Sequence, residues 1–172
     1  MDLNLEMFIS KWHLITLFFT AVALFAMIIG KYPRKTVIKS TILTFLIIYV
    51  VFTVFIGFEM QETEERNNYV DEGLTSSHEQ NMGKINEELV VFVGGFYDDE
   101  DDFTSKVYAK NFHESAEFTG KVRVAIYNEE GNKLEDEVYD VTLQPGEKIE
   151  VDPYLGNEEF GRYRYQFNPS SN

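Results

Sequence analysis

The chain has 172 residues, with 29 acidic against 15 basic side chains, a formal net charge of −14 and no cysteine. An acidic chain repels nucleic acid and anionic lipid head groups, which argues against both as partners of its soluble part. The lack of cysteine excludes a disulfide scaffold, thiolate metal ligation and a lipidated-cysteine anchor.

Charge is unevenly placed. From Gln61 onward there are 26 acidic and 10 basic residues, whereas the first 60 residues are net positive. After a short flank (residues 1–11), two apolar runs follow, Trp12–Gly30 and Ser40–Phe58, each of 19 residues without a formally charged side chain. A bilayer core about 30 Å thick takes roughly 20 helical residues to cross. The composition therefore predicts a two-helix transmembrane hairpin over 12–58. The connector, 31–39, contains Lys31, Arg34, Lys35 and Lys39, and Pro33 breaks the helix there. Basic short loops stay on the cytoplasmic side, so both termini are expected outside a plasma membrane. The first run lacks the positive n-region of a cleaved signal peptide.

Within the runs, Thr16, Thr20, Ala23, Met27 and Gly30 recur at spacings of three and four, as do Ser40, Thr44, Ile47 and Val51. Small faces of this kind let helices approach closely in lipid. They mark a packing face, either for the hairpin itself or for another membrane or envelope protein. Neither span carries Asp, Glu, Lys or Arg, which argues against ion transport.

Residues 59–86 are polar. Their first half reads as a continuation of the second helix and their second half, with Gly73, Ser76, Ser77 and Gly83, as linker. From residue 87 to 169 the periodicity becomes two. Val122, Val124 and Ile126 alternate with Arg123, Ala125 and Tyr127, and Tyr163, Tyr165 and Phe167 alternate with Arg162, Arg164 and Gln166. Strands are expected near 88–97, 103–112, 118–127, 133–143, 147–153 and 161–167, within an all-β antiparallel sandwich outside the cell. Asn128–Asn132 and Gln144-Pro145-Gly146-Glu147 supply the turns. The expected core is Val90, Phe92, Val107, Ala109, Val122, Val124, Ile126, Val138, Val141, Leu143, Tyr163 and Tyr165.

The stretch Gly120-Lys-Val-Arg-Val-Ala-Ile-Tyr-Asn-Glu-Glu-Gly-Asn-Lys-Leu, followed by Val141-Thr-Leu-Gln-Pro-Gly-Glu-Lys, is similar to the FxLYD-type and related immunoglobulin-like domains of bacterial envelope proteins. Asn111 sits before the third strand, where many of those domains have an asparagine. The resemblance implies an immunoglobulin-like sandwich outside the membrane, with no common enzymatic residue. The plasma membrane is expected to be a bacterial one, Gram-positive by preference.

Asp98-Asp99-Glu100-Asp101-Asp102 is the densest chemical feature. Adjacent carboxylates suit Ca²⁺, which takes 6–8 oxygen ligands, but a solvated, self-repelling loop explains them as well. His13, His78 and His113 are too scattered for a metal cluster. No nucleophile elbow or phosphate-binding glycine loop occurs. The reading that follows is a non-enzymatic, membrane-anchored sandwich acting as an interaction or accessory subunit of an envelope complex. Its alternative is a Ca²⁺-responsive sensor using 98–102. Exposed Tyr and Phe amid acid would suit a contact face, although core filling accounts for most of them.

Overall fold

The computed structural model describes residues 6–83, 88–97 and 102–170. The chain divides into two compact units, Met1–Asn67 and Asn68–Asn172.

The first unit holds α1 (Glu6–Ile9), α2 (His13–Ile29) and the beginning of α3 (Arg34–Asn81). The end of α2 is set by its backbone bonds. Gly30 N–H bonds Ala26 O at 2.9 Å and Tyr32 N–H bonds Met27 O at 3.2 Å, around Lys31 in the left-handed region (φ +54°). These bonds satisfy carbonyls that the helix end orphans. Pro33 then starts α3, its carbonyl accepting from Thr36 and Val37 N–H. α3 is long and apolar enough over part of its length to cross a membrane; α2 is apolar and shorter, at 17 residues. Leu17, Phe18, Val22 and Phe25 on α2, and Ile38, Ile42, Leu46 and Val50 on α3, are exposed.

The segment read as linker is helical instead. α3 continues through Gly73, Ser76 and Ser77 to Asn81. Its last turns belong to the second unit, where Val70 and Leu74, four residues apart on one face, are buried. Tertiary packing of an apolar face outweighs the weak local propensity of Gly and Ser.

The second unit is built on β1 (Leu89–Tyr97), β2 (Phe103–Asn111), β3 (Phe118–Tyr127), β4 (Lys133–Leu143), β5 (Lys148–Gly156) and β6 (Arg162–Pro169). These match the six expected strands apart from small shifts at the ends. They form two antiparallel three-stranded sheets, sheet A in the order β1-β2-β5 and sheet B in the order β4-β3-β6. Gly131 (φ +89°) and Gly146 (φ +74°) occupy the two turn positions that require left-handed backbone. The sheets share a core of Val91, Val93, Val107, Ala109, Val122, Val124, Ile126, Leu143 and Phe167, among others.

Sheet A is covered on both faces. Val91 and Val93 point into the sandwich, while Val90 and Tyr108 form a second core with Val70 and Leu74 of α3. This double burial explains why β1 reads Leu-Val-Val-Phe-Val rather than alternating. The core expectations change in three places. Val90 and Phe92, expected between the sheets, lie on the opposite face of β1 and pack with Val70 and Leu74 of α3. Val138, opposite Arg123 in the register, lies on the outward face and is 52% exposed. Tyr163 and Tyr165 are half-buried, their rings inward and their hydroxyls bonded at the margin of the sandwich.

Candidate interaction surfaces

In the first unit, α2 and α3 meet through His13 and Tyr49, whose rings stack 4.5 Å apart. Tyr49 also donates to Phe8 O at 3.0 Å. Of the residues expected on the packing face, Thr16 is buried, Thr20, Ala23, Ser40 and Thr44 are half-buried, and Gly30 is exposed at the end of α2. Ile47 and Val51 turn away and are exposed. Alongside Ser40 and Thr44, the covered face of α3 runs through Val37, Thr41, Phe45, Tyr49 and Thr53. Where the hairpin opens, a groove of about 1040 Å³ lies between Trp12 and Ile15 on one side and Phe52, Phe55 and Ile56 on the other. Glu59, Thr63, Glu64 and Asn67 line the same groove. It is apolar along most of its wall and acidic at the α3 side.

In the second unit, the end of α3 is fastened to the sandwich at several points. Phe92 packs against Tyr69 edge to face, ring centroids 5.3 Å apart. His78 stacks on Phe112 at 4.2 Å with an interplanar angle of 5°, and Lys110 Nζ lies 4.5 Å from the centroid of the same ring. His78 Nε2 is 3.3 Å from Glu88 Oε2. Lys148 Nζ contacts Asp71 Oδ1 at 2.8 Å. Ser77 Oγ and Tyr163 OH are 3.0 Å apart, and Asn81 Nδ2 donates to Tyr165 OH.

The tyrosine hydroxyls act as structural clips. Burial raises the pKa of both Tyr163 and Tyr165 above the ordinary phenol value, which keeps both hydroxyls protonated. Tyr163 OH also reaches the Val91 carbonyl at 3.3 Å, joining sheet B to sheet A. At the opposite margin Tyr139 OH donates to Asp152. Burial, the bond to Asp152 and its charge all raise the Tyr139 pKa.

Sheet B carries Lys121, Arg123, Lys133, Arg162 and Arg164 in an otherwise acidic unit. Lys121 Nζ lies 3.3 Å from Asp140 Oδ1. Asp136 receives two bonds from Arg123, each 2.7 Å, and a third of 2.7 Å from Lys133 Nζ. Arg162 and Arg164 both stack over Tyr127, their Cζ atoms 5.3 and 5.7 Å from the ring centroid. The bonds from Arg123 and then Lys133 hold the Asp136 carboxyl well below the usual carboxylate range. A depressed folded-state pKa stabilises the fold above the unfolded value of about 3.9, and that contribution fades as pH falls through the folded value. Urea midpoints of the parent and of Asp136→Asn should therefore differ at neutral pH and converge as pH drops below about 4; a gap that stays constant down to strong acid would contradict this cluster.

Of the acidic run, Asp98, Asp99, Glu100 and Asp101 lie outside the described residues, and Asp102 is exposed. Among the described residues no three His, Asp or Glu side chains converge as metal ligands. His113 organises a turn, its Nδ1 accepting from Ser115 N–H at 3.2 Å and Ala116 N–H at 3.1 Å. The residue that holds this turn is Asn111, 1% exposed. Its Nδ2 donates to Ala116 O (2.7 Å) and Leu143 O (3.2 Å), and its Oδ1 accepts from His113 N–H (3.0 Å). The helix–sheet seam was not anticipated from sequence. Its signal is Val70, Leu74 and His78, spaced by four within a polar stretch. Comparison with known protein families, with curated proteins and with solved structures finds no match.

Proposed function

We propose that this chain is a non-enzymatic, two-span plasma-membrane protein that presents an immunoglobulin-like sandwich outside the cell as an interaction or accessory subunit. The observation that carries this reading is the apolar surface of the first unit. Outside the face on which they pack together, α2 and the first half of α3 expose large hydrophobic side chains, far more than a water-soluble surface tolerates. Lipid is the solvent that suits them, and the basic connector sets the hairpin loop inside.

The strand orders β1-β2-β5 and β4-β3-β6 support the immunoglobulin-like assignment. They correspond to A-B-E in one sheet and C′-C-F in the other. The chemistry of the sandwich supports a recognition role. Several of its titratable groups are engaged in surface ion pairs, as at Asp136, or in structural hydroxyl bonds, as at Tyr139 and Tyr163. In the first unit, the groove between α2 and α3 offers an apolar wall to lipid or to a neighbouring membrane helix.

Purification of the full chain in mild detergent tests the reading. A specific envelope protein should co-purify in stoichiometric amount, and exchange of Phe52 and Phe55 for small polar residues should reduce its recovery. Recovery of the chain alone under every detergent condition would overturn the assignment.

A further inference from the structure

Among the described residues the sandwich has four sheet edges, and three of them carry features that oppose another strand. β4 carries Glu135, Asp136, Glu137 and Asp140 along its length, charges that guard an edge. β5 contains Pro153 and pairs with β2 through two register shifts. β1 has its Val91 carbonyl engaged by the Tyr163 hydroxyl.

On β6 the proline is the last residue, Pro169, and the two charges, Arg162 and Arg164, stand near the other end, so the stretch between them carries neither protection. It pairs with β3 through eight consecutive positions, Arg162–Pro169, without a shift. Ser170 N–H bonds Thr119 O at 3.1 Å, continuing the same register. Antiparallel bonds alternate, so Arg164, Gln166 and Asn168 direct their backbone groups at β3. The N–H and C=O groups of Tyr163, Tyr165 and Phe167 face the other way, where no described strand pairs with them. Their side chains point inward and those of Arg162 and Arg164 outward. Neither arginine forms an ion pair with a described carboxylate; both rest on Tyr127.

We propose that β6 is a docking edge for an extended segment of a partner protein in which acidic and apolar side chains alternate, added as a fourth strand of sheet B. The proposal rests on the interaction reading above and names the chemistry of the partner. Backbone bonds to Tyr163, Tyr165 and Phe167 supply affinity in strand addition, and alternate side chains supply specificity. Acidic side chains of the incoming strand fall beside Arg162 and Arg164. Its apolar ones extend the ring row of Tyr163, Tyr165 and Phe167, which pack successively against one another. A second copy of β6 fits poorly, since it brings its own Arg162 and Arg164 against the same pair.

The test titrates the full chain, in detergent micelles, with an octapeptide alternating Glu and Val and with a control alternating Lys and Val. The Glu–Val peptide should slow amide exchange at Tyr163, Tyr165 and Phe167, and the Lys–Val peptide should not. The double variant Arg162→Glu, Arg164→Glu should bind the Glu–Val peptide roughly tenfold more weakly and reverse the preference. Unchanged exchange at Val122 and Val124 certifies that this variant is folded. Three outcomes overturn the proposal: equal response to both peptides, no slowing at roughly millimolar peptide, or protection that appears without peptide and grows with protein concentration, the mark of self-pairing. Co-purification reports partners on any surface and this titration reports β6 alone, so the two can fail separately.

Discussion

Replacing Gly73 by leucine is expected to lift the last turns of α3 off sheet A. A Cβ at this position would lie 2.3 Å from Phe92 Cε2 and 2.5 Å from its Cδ2 and Cζ. Real contacts are never this short, so the ring or the helix must move. The ring has little room: Tyr69 meets it edge to face, and its Cε1 would be 3.1 Å from a Cβ on Gly94. A glycine in a helix interior costs about 1 kcal/mol relative to alanine, so propensity alone predicts a gain from any substitution. Packing predicts a loss, about 2–3 kcal/mol for leucine by the usual cost of overfilling a core. Urea denaturation measures the sign, and amide exchange at Val70 and Leu74 shows whether the seam has opened. Combining Gly73→Leu with Phe92→Ala should recover part of the loss, because the two changes share one space. A stabilised Gly73→Leu protein would mean that the helix does not depend on this contact.

The second large effect is expected at Asn111. Its amide satisfies two carbonyls and one N–H, and its own backbone bonds Glu147 O at 3.0 Å and Gly146 N–H at 2.9 Å. One side chain thus ties the end of β2 to the 111–117 turn, to the end of β4 and to the Pro145-Gly146 turn. Alanine leaves the Leu143 and Ala116 carbonyls and the His113 N–H without their partner. At about 1–3 kcal/mol for each buried unsatisfied group, the loss should reach about 3 kcal/mol. Aspartate, nearly the same shape, should be no better than alanine, since it sets a carboxylate against two carbonyl oxygens. A urea midpoint for Asn111→Asp close to that of the parent would refute this account of the turn.

The sandwich was legible because its signals are local. Alternation in Val122-Arg123-Val124 and the left-handed glycines Gly131 and Gly146 depend on neighbours in sequence, and the strands fell where those signals placed them. What was misread depends on distant partners. Gly73, Ser76 and Ser77 resemble a linker until Phe92, Tyr163 and sheet A are beside them. Val138 is as apolar as Val141, and only the pairing with Arg123 turns it outward. The small-residue stripe was half readable: Thr16 is covered, whereas Ile47 and Val51 have the right spacing and face away. Asn111 stood out in sequence only through a resemblance. Its function as a three-way hydrogen-bond hub requires Leu143, 32 residues further on. The open edge of β6 has no sequence signature at all, because it is a property of strand order.

The placement of Trp12 gives the protein a built-in optical division. It is the single tryptophan of the chain, it borders the groove of the first unit and it is 55% exposed. The sandwich absorbs through Tyr and Phe only. Selectively excited indole emission therefore reports the polarity around the hairpin and is blind to the β strands. A blue shift on transfer from detergent to vesicles, without a change in the tyrosine signal, would register insertion and domain integrity in one cuvette with no label attached.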